Sequence, residues 1–184
     1  MSSIEHIKTL LPDFAKDQRI NLGIIAQSTE LSPAQAWGSA LASAAASRNA
    51  DLIQAIDAEA TAFLGPEAKQ AALAAASIMA MNNVYYRFMH FMEAVGSYAT
   101  MPARLRMQVI GKPGVDHLDF ELWCLAVSAI NGCESCVRSH ANVVNEKGGS
   151  AGAVQDAVRI ASVIHATAVS LDAAAALRLS SAVG

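Results

Sequence analysis

Cys133 and Cys136 stand three residues apart, with Glu134 and Ser135 between them and His140 four residues further on. On a helix, where successive residues turn by about 100°, these three side chains fall within about 60° of one another, on one narrow face. Cysteines at this spacing can approach closely enough for a disulfide. Asn131-Gly132 interrupts the preceding helix and puts Cys133 in the first turn of the next, where unpaired backbone N–H groups and the helix dipole stabilise negative charge. A thiol in that position ionises below its usual ~8.5, and the thiolate is the reactive form. His140, one turn beyond Cys136, is placed to take that thiol's proton or to stabilise the thiolate as imidazolium. The chemistry is thiol redox. The dipole points to Cys133 as the attacking sulfur, and the spacing of His140 points to Cys136.

Glu121 lies among Phe120, Leu122 and Trp123 in the preceding segment. Two readings stand side by side. It is a base, acting directly or through water, that holds or deprotonates His140; or it is a solvated acid near a helix N-terminus, worth a few tenths of a kcal/mol against the dipole. Zinc is the rival use of the cysteines. Structural sites take four ligands, usually as two separated pairs, whereas Cys133, Cys136 and His140 supply three and His117 is the one nearby candidate for a fourth. No metal is therefore expected. Cys124, on an apolar helix, reads as a small buried residue. Met79, Met81, Met89 and Met92 read as adaptable packing in a core or an interface, His6 and His90 as surface or boundary residues, and His165 as a packed, hydrogen-bonded histidine.

The elements that must position these groups are helices. β-branched and aromatic residues nowhere alternate convincingly with polar ones, aromatics make up 5% of the 184 residues, and Ala and Leu dominate long periodic segments, so the fold class is all-α. That pattern excludes a thioredoxin-like fold, which needs alternating strands and helices. Helices are expected over 3–11, over much of 13–27, from the Ser32-Pro33 start signal to Ser47 with Trp37, Leu41, Ala44 and Ala45 on one face, over 50–63, and from Gly65-Pro66 to Tyr86 or beyond. A loop with Gly96, Pro102, Gly111, Pro113 and Gly114 separates the halves. Helices over 118–130, 133–145, 151–171 and 172–181 complete the set. Trp37 and Trp123 open similar segments 86 residues apart, and Ala76-Ser77-Ile78-Met79 matches Ala161-Ser162-Val163-Ile164 at a displacement of 85. The chain 1–184 is thus one compact domain built from a duplicated helical unit, about 33–95 and about 118–181, with the thiols only in the second copy.

Composition narrows the partners. A net charge of -3 without any Lys/Arg run excludes a nucleic-acid surface. The longest apolar stretch, Ala71 to Met81 broken only by Ser77, falls short of the ~20 residues that span a bilayer. The start Met1-Ser2-Ser3-Ile4-Glu5 lacks the basic and apolar runs of a signal peptide, and the expectation is a cytoplasmic protein, where thiols stay reduced. With 53% hydrophobic and only 16% charged residues, and a mean hydropathy of +0.31, a subunit is expected to bury part of its exterior against its own copies.

Phe120-Glu121-Leu122-Trp123 followed by Ser128-Ala129-Ile130-Asn131-Gly132-Cys133-Glu134-Ser135-Cys136-Val137-Arg138-Ser139-His140 resembles the alkylhydroperoxidase D family of the carboxymuconolactone-decarboxylase-like superfamily. Leu11-Pro12, Ala15-Lys16-Asp17, Leu41 to Ala46 and Ile78 to Tyr86 extend the resemblance over nearly the whole chain. It implies a duplicated all-helical fold, a homotrimer, and reduction of alkyl hydroperoxides through a Cys133–Cys136 disulfide. By resemblance Cys136 forms the sulfenic acid and the interchain disulfide with a peroxiredoxin, Cys133 is proton donor and resolving thiol, and Glu121 with His140 forms a proton relay. It further implies an AhpC-type peroxiredoxin partner, no bound cofactor, and a dihydrolipoyl group on a dihydrolipoamide acyltransferase as reductant, fed by NADH through dihydrolipoamide dehydrogenase. The best-known members carry histidine where this chain has Ser135. A hydroxyl is no base near neutral pH, so activity is expected to survive with a different rate or pH profile. Two other functions compete: a lactone decarboxylase, which needs no cysteine pair, and a redox-sensing helix bundle without turnover.

Overall fold

The computed structural model describes residues 3–177. Its helices are α1 (Ser3–Leu10), α2 (Lys16–Asn21), α3 (Ile24–Gln27), α4 (Pro33–Ser47), α5 (Ala50–Ala60), α6 (Pro66–Phe91), α7 (Gln108–Gly111), α8 (His117–Ile130), α9 (Glu134–Glu146) and α10 (Ala151–Leu177), with 3-10 turns at Asp13–Ala15 and Tyr98–Thr100. No strand occurs among the described residues, and the fold is all-α.

α4 and α8 pack against each other at the centre, and the two long helices, α6 and α10, each lie across both. α4 starts where the sequence signals it. Ser32 accepts from the Gln35 backbone N–H, the Gln35 side chain accepts from the Ser32 N–H, and Pro33 fills the first turn. The helix is then buried without a break from Ala36 to Ala44, and apart from Trp37 and Leu41 these residues are small, which lets α8 come close. A Cβ on Gly38 would collide with the Trp123 indole, whose Nε1 donates to the Gln35 carbonyl at 3.3 Å. α9 packs on α8 and α6. The order of helix lengths repeats along the chain: 15, 11 and 26 residues in α4, α5 and α6, then 14, 13 and 27 in α8, α9 and α10.

The segment 13–27 is helical over much of its length, as expected, divided into a 3-10 turn and two short helices. Its buried side chains, Ala15, Leu22 and Ile25, are too sparse to hold a continuous face, and Ile20 and Phe14 lie exposed. One expectation needs correction. The break expected at Leu171-Asp172 is absent: Asp172 stays within α10 and its Oδ1 accepts from Asn49 Nδ2 at 2.7 Å. The expected extension from 178 to 181 lies outside the described residues. The loop between the halves also contains the short α7. By length and composition α10 could cross a membrane, yet Ile160, Ile164, Ala168 and Leu171 are buried in the core, and it packs on α4 and α8. It is a core helix.

Candidate active site

The turn between α8 and α9 fixes the first sulfur. Gly132 has φ +65, the left-handed region that a side chain makes costly. Its N–H bonds to the Ala129 carbonyl at 3.2 Å, and the Cys133 N–H to the Ser128 carbonyl at 3.2 Å. This glycine-centred closure satisfies two orphan carbonyls of α8 and aims the chain into α9. Cys133 consequently sits at the N-cap of α9, one position before the first turn expected for it, with its carbonyl accepting from Val137 N–H. Cys136 follows in the first turn. The two are joined in a disulfide with Cα atoms 5.3 Å apart.

The two sulfurs differ in access. Cys133 is fully buried and Cys136 is 6% exposed; Cys136 borders a cleft of about 380 Å³ and Cys133 does not. Ser135 also borders the cleft, and its hydroxyl lies 3.5 Å from the Cys133 sulfur. Met79, Asn82 and Tyr86 from α6, Met107 and Ile110 around α7, Glu121 from α8, and Ser139, His140 and Val143 from α9 complete the lining. Another cleft of about 480 Å³, bordered by Arg48, Asn83 and Arg87, has no sulfur or imidazole in its lining; the chemistry belongs to the first.

Glu121 is 2% exposed and His140 8%, and Nδ1 of His140 lies 2.6 Å from Glu121 Oε2. The solvated-acid reading of Glu121 therefore fails: a carboxylate this deeply buried persists because it is paired. With Nδ1–H given to the carboxylate, Nε2 is the nitrogen left for chemistry. It lies 3.2 Å from the thioether of Met79. No hydrogen bond joins His140 to either sulfur among the described residues. His140 and Cys136 meet instead as neighbouring walls of one cleft. Across the carboxylate, His117 Nδ1 stands 3.6 Å from Glu121 Oε1, outside hydrogen-bond range. His117 is thus drawn to the acid and not to the cysteines, and no three His, Cys, Asp or Glu side chains converge on a metal position among the described residues.

Met79 was expected to be packing, and it is buried. It has a second role. Its sulfur also takes Ser128 Oγ at 3.4 Å and Asn83 Nδ2 at 3.8 Å, so one thioether collects three polar donors. A thioether is a weak acceptor, and it orients Nε2 without strongly retaining a proton. Cys124 is fully buried; burial, and then the nearby Glu121 charge, push its thiol well above the ordinary range, so it takes no part as a thiolate. His90 is exposed, 3.7 Å from Glu134 of the Cys-x-x-Cys segment. His165 is exposed, with Nδ1 3.2 Å from Ser47 Oγ, and not packed as expected. Asn82, Tyr86 and Met107 were not foreseen. Two adjacent asparagines inside an alanine-rich helix, where asparagine is disfavoured, were the available signal.

This is an all-helical protein with a Cys-x-x-Cys disulfide flanked by a buried Glu–His pair, and over residues 97–179 it matches the Carboxymuconolactone decarboxylase family. The matched stretch contains α8, α9, both cysteines, Glu121 and His140, but not the α6 wall of the cleft. The chain is 60% identical over 175 residues to alkyl hydroperoxide reductase AhpD of Gluconacetobacter diazotrophicus, covering 95% of this chain and 96% of the relative. Proteins of the same name from Rhodospirillum centenum (54% over 175 residues, 95% and 94% covered) and Brucella canis (53% over 172 residues, 94% and 98% covered) are similar along their length. The chain belongs to the AhpD family.

Proposed function

We propose that this chain is an alkyl hydroperoxide reductase that works through Cys136 and Cys133. One observation carries the reading: of the paired sulfurs, Cys136 is the one that faces a cleft shared with His140. In the dithiol form, Cys136 thiolate attacks the terminal oxygen of R–O–O–H. The S–O bond forms, the O–O bond breaks, and the departing alkoxide takes a proton from Nε2 of His140, giving Cys136 sulfenic acid and alcohol. Cys133 then attacks the sulfenic sulfur, water leaves, and the disulfide forms. The dipole argument for Cys133 as the attacking sulfur is outweighed by its burial, since a thiol without access to peroxide cannot react first. Burial suits it instead to the resolving role.

Reduction runs in the opposite sense. A dihydrolipoyl thiolate attacks Cys136, Cys133 leaves as thiolate and takes a proton, and the second lipoyl sulfur releases Cys136 as the lipoyl disulfide closes. The apolar walls supplied by Met107, Ile110 and Val143 suit both an alkyl peroxide and the lipoyl chain. The natural donor is a lipoyl group on a dihydrolipoamide acyltransferase, recharged by dihydrolipoamide dehydrogenase and NADH; no cofactor is bound. Through an interchain disulfide at Cys136 the enzyme regenerates an AhpC-type peroxiredoxin. It works in the cytoplasm as a homotrimer, a state favoured by exposed Val84, Phe88 and Phe91 along α6. The repeated order of helix lengths supports descent of the two halves from one duplicated unit.

The test is reconstitution with lipoamide, dihydrolipoamide dehydrogenase and NADH. Hydroperoxide-dependent NADH loss, greater with a peroxiredoxin present and abolished by Cys136→Ser, is the expected result. Trapping of sulfenic acid only at Cys133 would reverse the cysteine roles, and unchanged turnover after alkylation of both thiols would remove the mechanism.

A further inference from the structure

We infer that Asn82 is the residue that binds the peroxide oxygens, donating a hydrogen bond to the oxygen that departs as alkoxide; the inference rests on the hydroperoxide reductase reading above. Asn82 and Asn83 are neighbours on α6 with opposite fates. Asn83 is satisfied on both ends of its carboxamide: Nδ2 donates to Ser128 Oγ at 3.0 Å, and Oδ1 accepts from Asn131 Nδ2 at 2.9 Å. That network ties α6 to the end of α8 just before the cysteines. Asn82 is 4% exposed and borders the cleft beside Cys136 and His140. Its Oδ1 is sealed from solvent with no hydrogen-bond partner, and the carboxamide makes no other hydrogen bond among the described residues.

Oδ1 can only accept, whereas Nδ2 is a donor with no protein partner, and a donor left free on so buried a side chain beside a reactive cleft calls for a ligand that accepts. Ser135 and Ser139 in the lining are exposed, and the cleft's other buried or half-buried polar groups are already placed: Glu121 holds His140, His140 lies on Met79, and the Tyr86 hydroxyl rests on the Met107 sulfur at 3.8 Å. Asn82 is the deeply buried side chain of the lining whose Nδ2 donates to no other group among the described residues. When Cys136 thiolate forms its bond to the terminal oxygen, negative charge gathers on the other oxygen as the O–O bond breaks. An amide N–H held in a site poor in water stabilises that charge more than it stabilises the neutral peroxide, which is what lowers the barrier. His140 then supplies the proton, and Cys–S⁻, ROOH and H⁺ become Cys–SOH and ROH. In the reductive half of the cycle no alkoxide forms. The leaving group there is the Cys133 thiolate, whose sulfur does not border the cleft that Asn82 lines.

The two halves of the cycle therefore separate this role from a structural one. Asn82→Leu matches the volume without polar atoms, and Asn82→Asp keeps the shape but removes the N–H donors. Oxidation of the dithiol enzyme by tert-butyl hydroperoxide and reduction of the disulfide enzyme by dihydrolipoamide are each followed by rapid mixing. Both variants are expected to lose about a hundredfold in the oxidation rate constant and to keep the reduction rate constant within about twofold of wild type. Equal loss in both halves, or no loss in either, would overturn the assignment. If only Asn82→Asp folds, its two rate constants decide. A wild-type dithiol enzyme inert to hydroperoxide would overturn the reductase reading, and the Asn82 role with it; a reactive wild type with equally reactive variants overturns Asn82 alone.

Discussion

Replacing Glu121 by glutamine isolates what the buried charge does. Glutamine keeps the volume and an oxygen that still accepts from Nδ1–H of His140, so the 2.6 Å contact survives as a neutral hydrogen bond. A hydrogen bond to a charged group contributes about 1.5–3 kcal/mol, against about 0.5–1.5 for a neutral one. The exchange therefore removes at least about 1 kcal/mol of stabilisation from a positively charged His140. Because both partners are more than nine-tenths buried, the loss moves towards the about 3–5 kcal/mol found when a buried pair loses one charge. At about 1.4 kcal/mol per tenfold, hydroperoxide-dependent turnover should fall between about 5- and 4000-fold. Stability should fall with it, because a buried pair that loses one charged partner is destabilised on the same scale, so the melting temperature drops and turnover is read below it. Turnover is read by NADH loss in the lipoamide-coupled assay, and unfolding by circular dichroism. Wild-type turnover in a folded Glu121→Gln enzyme would refute the proton-handling role of the pair.

Three further outcomes follow from the geometry. Met79→Leu removes the acceptor facing Nε2 of His140 at 3.2 Å while nearly conserving volume; turnover should drop about 2- to 10-fold, the equivalent of one weak hydrogen bond, and undiminished turnover would leave the thioether as packing alone. Gly38→Ala drives a methyl into the Trp123 ring and should cost about 1–3 kcal/mol, lowering the melting temperature by about 2–12 °C; no change would mean that α4 and α8 are not in close contact at this point. Burial holds the Asp119 carboxyl above its ordinary range, a rise that the Gln35 hydrogen bond at 2.8 Å opposes and the neighbouring Asp116 charge augments. The folded state thus binds the proton more readily than the unfolded one, so this residue adds stability as pH falls through its raised folded value and loses it as pH rises. Relative to Asp119→Asn, wild type should gain melting temperature on acidification through the window just above the ordinary aspartate range, and a difference that is flat with pH would contradict that.

The helices that carry the chemistry were legible because their signals are local. Ser32-Pro33 caps α4, Asn131-Gly132 ends α8, and the Cys-x-x-Cys spacing places both sulfurs at the start of α9. Glu121 was half legible. Its apolar neighbours said that it was out of place, but the partner that decides between acid and relay lies on another helix, 19 residues along the chain. Met79 and Asn82 were not assigned to the site at all. Met79 looks like packing in any helix of alanines, and Asn82 differs from Asn83 only in whether a partner is present, which is a property of the tertiary fold. Leu171-Asp172 misled for the same reason: an acid that resembles a helix start is instead the acceptor for Asn49 at the start of α5.

The location of those missed residues has a physical consequence. Both reacting sulfurs and both proton-handling groups of the proposed chemistry sit on α8, on α9 or at the turn between them, yet the wall that orients them comes from α6, in the half of the chain without thiols. α6 gives the thioether behind His140, the unpaired carboxamide in the cleft, and Asn83, which locks onto Ser128 and Asn131 just before Gly132 turns the chain. Arg87 on the same helix donates to the Asn131 carbonyl at 2.6 Å, a second hold on the end of α8. A segment holding α8 to α10 alone would therefore carry every cysteine and both relay residues but lack the partner of Nε2 and the brace for the turn. The reactive geometry is a property of both halves packed together, and the first half acts as a scaffold for the chemistry of the second.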